Sequence, residues 1–105
     1  MKSFEQKIIQ EIVRRSSIDV SIFSRNDFEE EIYYADSSYR LTLKNIGTEK
    51  ECKFLYKPEI FGKLDGIDVG FSITIHANNL TLECYSNNTK ITEKNRNGSF
   101  ERTNT

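Results

Sequence analysis

A change in hydrophobic spacing near residue 16 most strongly limits how this chain can fold. The first fifteen residues, MKSFEQKIIQEIVRR, place apolar side chains three and four positions apart, which is the spacing of an amphipathic helix. From Ser17 onward apolar and polar residues alternate instead, as they do in half-buried strands. The sequence therefore predicts one N-terminal helix followed by strands.

The predicted helix has one apolar stripe and one polar face. The stripe consists of Phe4, Ile8, Ile9, Ile12 and Val13. The polar face consists of Glu5, Lys7, Gln10, Glu11 and Arg14. Ser3 and Gln6 have the spacing of a capping box, and Arg14 and Arg15 suit the negative end of the helix dipole.

The first predicted hairpin turns at Arg25-Asn26-Asp27. This turn places Val20 opposite Ile32 and Ile18 opposite Tyr34. An alternative is that Asp27 caps a short helical turn over residues 28–31.

The second predicted hairpin has a loop at residues 47–50. This loop brings Leu43 opposite Phe54 and Leu41 opposite Tyr56. Pro58 is predicted to end the strand, and residues 59–66 are predicted to form a connecting loop. The same pairing would collect cations on the other face, in a basic stripe made of Arg40, Lys44, Lys53 and Lys57.

The third predicted hairpin turns at Asn78-Asn79, because asparagine tolerates the positive φ angles of a type I′ turn. That turn aligns Ile75 with Leu82 and Ile73 with Cys84. Beyond Tyr85 the pattern weakens. Residues 90–96 are compatible with an edge strand, Asn97-Gly98 with a last hairpin turn, and the residues from about 95 with a mobile tail.

These elements predict a single α+β domain over residues 1–105. The expected architecture is one N-terminal amphipathic helix packed on a curved, mostly antiparallel sheet of about six strands. A small barrel or sandwich with the helix at one end is the alternative.

Charge and cysteine content narrow the function classes. With 15 Lys and Arg against 16 Asp and Glu, the net charge of −1 gives no global attraction to nucleic acid or to an anionic membrane. No apolar run resembles an export signal or a membrane span, so a cytoplasmic protein without a membrane partner is expected. Cys52 and Cys84 are too few for a disulfide framework or a zinc site, and no cofactor is predicted.

His76 is the single histidine, and it is central to an enzyme alternative. The predicted hairpin places it diagonal to Glu83, so the two could act as acid and base while the basic stripe holds a phosphate. That combination would suit a small nuclease, or a nucleic-acid- or ligand-binding module that uses the basic stripe. The lack of a second base or a positioned nucleophile disfavours catalysis.

The segment DFEEEIYYADSSY, residues 27–39, is the strongest candidate for a binding surface. Its candidate partner-binding residues are Asp27, Glu29, Glu30, Glu31, Tyr33, Tyr34, Asp36 and Tyr39. The segment lacks the glycine and the alternating oxygen ligands of a calcium loop, so no metal site is predicted. Tyrosines provide large contact area, and carboxylates attract a cationic partner.

The predicted function is therefore a non-catalytic protein-binding factor. The closest functional type is a small bacterial immunity- or antitoxin-like inhibitor, which would bind a cationic toxin or nuclease and block it.

Overall fold

A computed structural model describes residues 1–15, 28–46, 53–76 and 78–103, with the side chains of 53–59 outside the description. In chain order the elements are α1 (Ser3–Arg15), β1 (Glu29–Tyr34), β2 (Ser38–Lys44), β3 (Lys53–Leu64), β4 (Ile67–His76), β5 (Asn79–Ser86), α2 (Glu93–Arg96) and β6 (Phe100–Arg102). No described helix is both long and apolar enough to cross a membrane.

The six strands form one antiparallel sheet in the order β1-β2-β5-β4-β3-β6. Strands β1 and β6 lie at its two ends and do not pair with each other, so the sheet is open. The predicted α+β fold with one N-terminal helix and six strands is confirmed, and the barrel alternative is wrong. One face carries the core and α1, and we call the other the open face.

Helix α1 packs across β3 and β4 with the predicted stripe. Its isoleucines and Val13 are buried, and Phe4 is partly buried against the core. The assignment of Glu5 to the polar face is wrong, because Glu5 is fully buried. Glu5 precedes Ile8 by three residues and Ile9 by four, so helical geometry places it on the same stripe.

Glu5 also closes the first turn of α1 in place of the predicted capping box. Its carboxylate accepts a hydrogen bond from the backbone N–H of Lys2 at 2.7 Å. The backbone N–H of Gln6 donates to the carbonyl of Lys2 at 3.1 Å. Lys2 and Glu5 therefore occupy the positions that were predicted for Ser3 and Gln6.

The predicted pairing of β2 with β3 is wrong. Strand β2 lies between β1 and β5, with Leu41 opposite Ile32 on one side and Leu82 on the other. Strand β3 lies between β4 and β6. An alternating strand can bury its apolar face beside any neighbour with the same alternation, and β5 provides it.

Strand β3 continues past Pro58, so the predicted strand end and the loop over 59–66 are also wrong. Pairing with β4 shifts register between Leu55 and Ile60, and proline is tolerated at such irregularities because no ladder hydrogen bond is needed there. The turn comes at Asp65-Gly66, where φ is 52° and 83°. Two successive positive φ angles are typical of a type I′ hairpin turn.

The hairpin of β4 and β5 forms with a register two residues away from the predicted one. Ile75 lies opposite Leu80 rather than Leu82, and Ile73 lies opposite Leu82 rather than Cys84. A shift of two keeps every side chain on its predicted face, because strands have a period of two. Asn78 has a φ of 70°, and His76 pairs with Asn79.

The two remaining predictions concern the ends of the sheet. The predicted strand at residues 17–22 lies outside the described residues, and so does its turn at 25–27. The alternative helical turn at 28–31 is wrong, because β1 begins at Glu29. Residues 93–96 form α2 instead of a strand, because Thr92 and Asn95 form a capping box. Strand β6 pairs with β3, with Lys63 opposite Glu101, so the predicted last hairpin at Asn97-Gly98 is not formed.

Candidate partner-binding site

The acidic segment is divided between the two faces of the sheet. On the open face, Glu29, Glu31 and Tyr33 lie opposite Lys44, Thr42 and Arg40 of β2. On the helix-covered face, Glu30, Ile32 and Tyr34 lie opposite Leu43, Leu41 and Tyr39. The alternation of side chains along β1 therefore prevents the candidate residues from forming one continuous patch on the sheet.

On the open face, part of the acidic charge is neutralised within the sheet. The Glu31 carboxylate contacts the Lys44 ammonium at 2.8 Å. The hydrogen bond from Lys44 and then its charge lower the pKa of Glu31, and the same contact raises the pKa of Lys44. Tyr33, two residues further along β1, is 62% exposed.

On the helix-covered face, the candidates contact the protein itself. Glu30 contacts the N-terminal amino group at 2.6 Å. Tyr34 is partly buried, with its ring centroid 5.9 Å from that of Tyr39. Tyr39 is fully buried, because it faces α1 in the core, so we exclude it from any accessible surface. Asp27 lies outside the described residues.

A cavity of about 610 Å³ lies where β1 ends, and we call it the acidic cleft. Its lining residues are Tyr33, Tyr34, Ala35, Asp36, Lys90, Ile91, Thr92 and Glu93. The backbone N–H of Ile91 donates to the carbonyl of Asp36 at 3.0 Å and so joins the two segments. Asp36 and Glu93 are exposed, and within the described chain neither side chain forms an ion pair.

Local structure and buried charge together place Glu93 in the cleft. The Thr92 backbone N–H donates to Asn95 Oδ1 at 2.9 Å, which caps α2. At the other end of α2, Arg96 donates to both oxygens of Glu5, at 2.8 and 2.7 Å. The Tyr39 hydroxyl donates to Glu5 at 2.7 Å. The position of α2 beside β1 therefore depends on a buried cluster of Glu5, Tyr39 and Arg96.

The electrostatics of this buried cluster are those of a structural ion pair. Burial is the largest influence on Glu5 and opposes ionisation, but hydrogen bonds from Arg96, Tyr39 and the Lys2 amide outweigh it and lower the pKa of Glu5. Burial and then the charge of Glu5 raise the pKa of Tyr39 and of the Cys84 thiol. The hydrogen bond to Glu5 raises the pKa of Arg96. All four groups therefore keep one protonation state around neutral pH.

The predicted acid–base pair of His76 and Glu83 is wrong. His76 lies opposite Asn79, whereas Glu83 lies opposite Ser72, four residues earlier in β4. At the usual rise of a strand, that separation is about 13 Å. Glu83 instead accepts a hydrogen bond from Arg40 at 3.0 Å.

The predicted basic stripe is also wrong, because it required β2 and β3 to be neighbours. Strands β5 and β4 lie between them, so Arg40 and Lys44 are separated from Lys53 and Lys57. Within β2, Arg40 is paired with Glu83 and Lys44 with Glu31.

Two further results concern ligands and relatives. Among the residues that the structure describes, no three His, Cys, Asp or Glu side chains are grouped so as to hold a metal ion. Comparisons with protein-family models, with curated proteins and with solved structures find no significant match to this chain.

Sequence reasoning missed Glu93, Lys90 and Thr92 as neighbours of the tyrosines. The helix start at Thr92 had a local signal, because a Thr followed three residues later by Asn can cap a helix. The contact of this segment with Asp36 had no local signal, since it joins the backbone atoms of Ile91 and Asp36, which are 55 positions apart in the chain.

Proposed function

We propose that this protein is a non-catalytic binding protein whose acidic cleft receives a lysine or arginine side chain of a cationic protein partner. One observation carries the proposal. Two tyrosines and two exposed carboxylates without ion pairs in the described chain surround one cavity, formed by Tyr33, Tyr34, Asp36 and Glu93.

The chemistry of these four side chains suits a cation with an apolar stem. Aromatic rings attract ammonium and guanidinium groups through their π faces and also cover the methylene stem. Carboxylates such as Asp36 and Glu93 accept charge-assisted hydrogen bonds, which are stronger than those between neutral groups. Tyr33 adds exposed contact area at a small loss of side-chain entropy.

The acidic side chains on the open face extend the surface available to such a partner. Glu29 and Glu31 are exposed beside Tyr33 on β1. The contact of Glu31 with Lys44 is at the surface, where ion pairs exchange partners readily. A partner cation can therefore replace Lys44 as the neighbour of Glu31.

The functional type that we propose is a small bacterial immunity- or antitoxin-like inhibitor that acts in the cytoplasm. A stoichiometric inhibitor of a toxin or nuclease needs an acidic surface to occupy the cationic site where phosphates bind. Cys84 is free and buried, which fits a reducing compartment.

The test is affinity capture with charge-reversal variants. Tagged wild-type protein, a Asp36→Lys/Glu93→Lys variant and an Glu101→Lys control are used to capture proteins from the source organism. Glu101 is exposed on β6, at the opposite end of the sheet. We expect the wild type and the control to capture the same basic protein. The cleft variant should capture at least about tenfold less of it.

The captured protein is then assayed with increasing amounts of wild-type protein. We expect the activity of the captured protein to fall to zero near one equivalent, and a His76→Ala variant to inhibit equally well. Equal capture by the cleft variant, or a partner whose activity does not respond, would contradict the proposal.

A further inference from the structure

A second cavity, of about 550 Å³, shares no lining residue with the acidic cleft. It is a groove between α1 and the chain from Arg96 to Arg102. Its volume falls within the range of small-molecule sites, roughly 300–1,000 Å³. We call it the cationic groove.

The floor of the cationic groove is apolar. Ile8 and Ile60 are buried beneath it, and Phe4 and Phe100 reach it from the two walls. The Phe4 and Phe100 rings are stacked with centroids 5.2 Å apart, and the Phe71 ring meets Phe100 edge-on at 5.4 Å. This packing gives a firm surface for an alkyl or aromatic body.

The rim of the groove is basic. Arg96 and Arg102 are held by Glu5 and Glu11, at 2.7 and 2.6 Å. Lys2 and Lys7 also line the groove, and in the described part of the chain neither has an ion pair. Glu11 is the one acidic residue in the lining, so the rim has a net positive charge.

We propose that the cationic groove binds a small anionic amphiphile, such as a free fatty acid, with its alkyl chain on the apolar floor and its carboxylate beside Lys2 and Lys7. The apolar floor gains from contact with methylene groups, and the Lys2 and Lys7 ammonium groups gain from an anionic head. Neither feature alone selects this class of ligand. A polar anion gains nothing from the floor, and a neutral or cationic amphiphile gains nothing from the rim.

The test uses the wild-type chain and soluble probes below their micelle concentrations. Isothermal titration compares dodecanoate with dodecyltrimethylammonium, which has the same chain length and the opposite charge. A series of octanoate, decanoate and dodecanoate measures the contribution of the floor. We expect dodecanoate to bind at least tenfold more tightly than the ammonium probe, and affinity to rise roughly fourfold for each buried methylene.

Charge-reversal variants then locate the site. Lys2→Glu/Lys7→Glu should weaken dodecanoate binding about tenfold or more, whereas Lys90→Glu/Lys94→Glu should leave it unchanged. Both variants alter two lysines outside ion pairs of the described chain, and neither Lys90 nor Lys94 lines the groove. Circular dichroism checks that each variant is folded.

Three results would overturn the proposal. The first is equal affinity for the anionic and cationic probes, which the wild-type chain alone can show. The second is unchanged dodecanoate binding in the Lys2 and Lys7 variant. The third is tighter binding to vesicles containing phosphatidylserine than to dodecanoate, which would assign the groove to a membrane surface. The Asp36→Lys/Glu93→Lys variant should bind dodecanoate as the wild type does. The test of the cationic groove is therefore independent of the acidic cleft.

Discussion

Glu5 of α1 and Arg96 of α2 form a buried ion pair, whereas Arg40 and Glu83 form an ion pair on the open face of the sheet. The side chains of the first pair are 0% and 9% exposed. Those of the second pair are 34% exposed for Glu83 and 56% for Arg40. Both pairs join an arginine to a glutamate at short range, but they differ in exposure to water and in the number of hydrogen bonds to the carboxylate.

This difference in exposure predicts that breaking the two pairs has different consequences. Removing one partner of a buried ion pair leaves an uncompensated charge in the interior, which is strongly destabilising. An exposed pair exchanges its partner for water at little loss. We therefore expect the Glu5–Arg96 pair to fix the segment that carries Glu93, and the exposed Glu31–Lys44 pair to exchange partners more readily.

The largest expected effect comes from replacing Glu5 by Gln. The change keeps the shape but leaves the buried Arg96 charge without its carboxylate, so we expect a loss of about 3–5 kcal/mol in the free energy of unfolding, measured by urea denaturation. The control is Glu11→Gln in the same helix, where the carboxylate is 17% exposed and pairs with Arg15 and Arg102. We expect the control to lose about 1 kcal/mol or less. Equal losses would show that burial is not the deciding difference.

The second prediction concerns the pH dependence of that loss. The pKa of Glu5 is lower in the folded protein than its ordinary value of 4.5. Ionised Glu5 therefore stabilises the fold above the unfolded pKa, and this contribution disappears as the pH falls through the folded pKa. We expect the difference in unfolding free energy between wild type and Glu5→Gln to shrink from pH 6 to below pH 4. A constant difference over this range would contradict the assignment of an ionised, hydrogen-bonded Glu5.

A smaller effect is expected for Tyr39→Phe, which removes the hydroxyl that donates to Glu5. A hydrogen bond to a charged group contributes about 1.5–3 kcal/mol, so we expect a loss in that range by urea denaturation. The control is Tyr33→Phe, whose hydroxyl belongs to a side chain that is 62% exposed. We expect the control to change stability by about 0.5 kcal/mol or less. If both variants lost the same amount, the buried hydroxyl would have no special role.

The features that sequence predicted correctly are those that local periodicity determines. The stripe of α1 follows from a spacing of three and four residues within thirteen helical positions. The faces of β4 and β5 follow from alternation. Their register does not follow, because a shift of two residues gives the same pattern of buried and exposed side chains.

The features that sequence missed depend on residues distant in the chain. Glu5 and Arg96 are 91 positions apart, and nothing near Glu5 indicates its partner. A local signal did exist for the burial of Glu5, since it shares the helical stripe with Ile8 and Ile9. A second local signal was Asp65-Gly66, a dipeptide typical of type I′ turns. It predicts that β3 ends at Leu64 rather than at Pro58.

The candidate site was partly predictable, because local pattern determines the exposure of some of its residues and contacts distant in the chain place the others. Tyr33 and Asp36 are exposed within the acidic segment, as their polar setting indicated. The burial of Tyr39 follows from its place among Leu41 and Leu43, whose alternation extends one step further back along β2. Glu93 could not be predicted, because its place in the cleft depends on the packing of α2 by Arg96.

The smallest expected effect is for Arg40→Gln, which breaks the exposed pair with Glu83. Since water replaces the lost contact, we expect the free energy of unfolding to fall by about 1 kcal/mol or less at low ionic strength. Added salt screens exposed charges, so the difference from wild type should shrink further between 0.01 and 1 M sodium chloride, roughly as the Debye length falls from 30 to 3 Å. The loss in Glu5→Gln should respond much less to the same salt, because its pair is shielded from solvent. A salt response of equal size in the two variants would mean that the Glu5–Arg96 pair is reached by water and does not fix α2 as we describe.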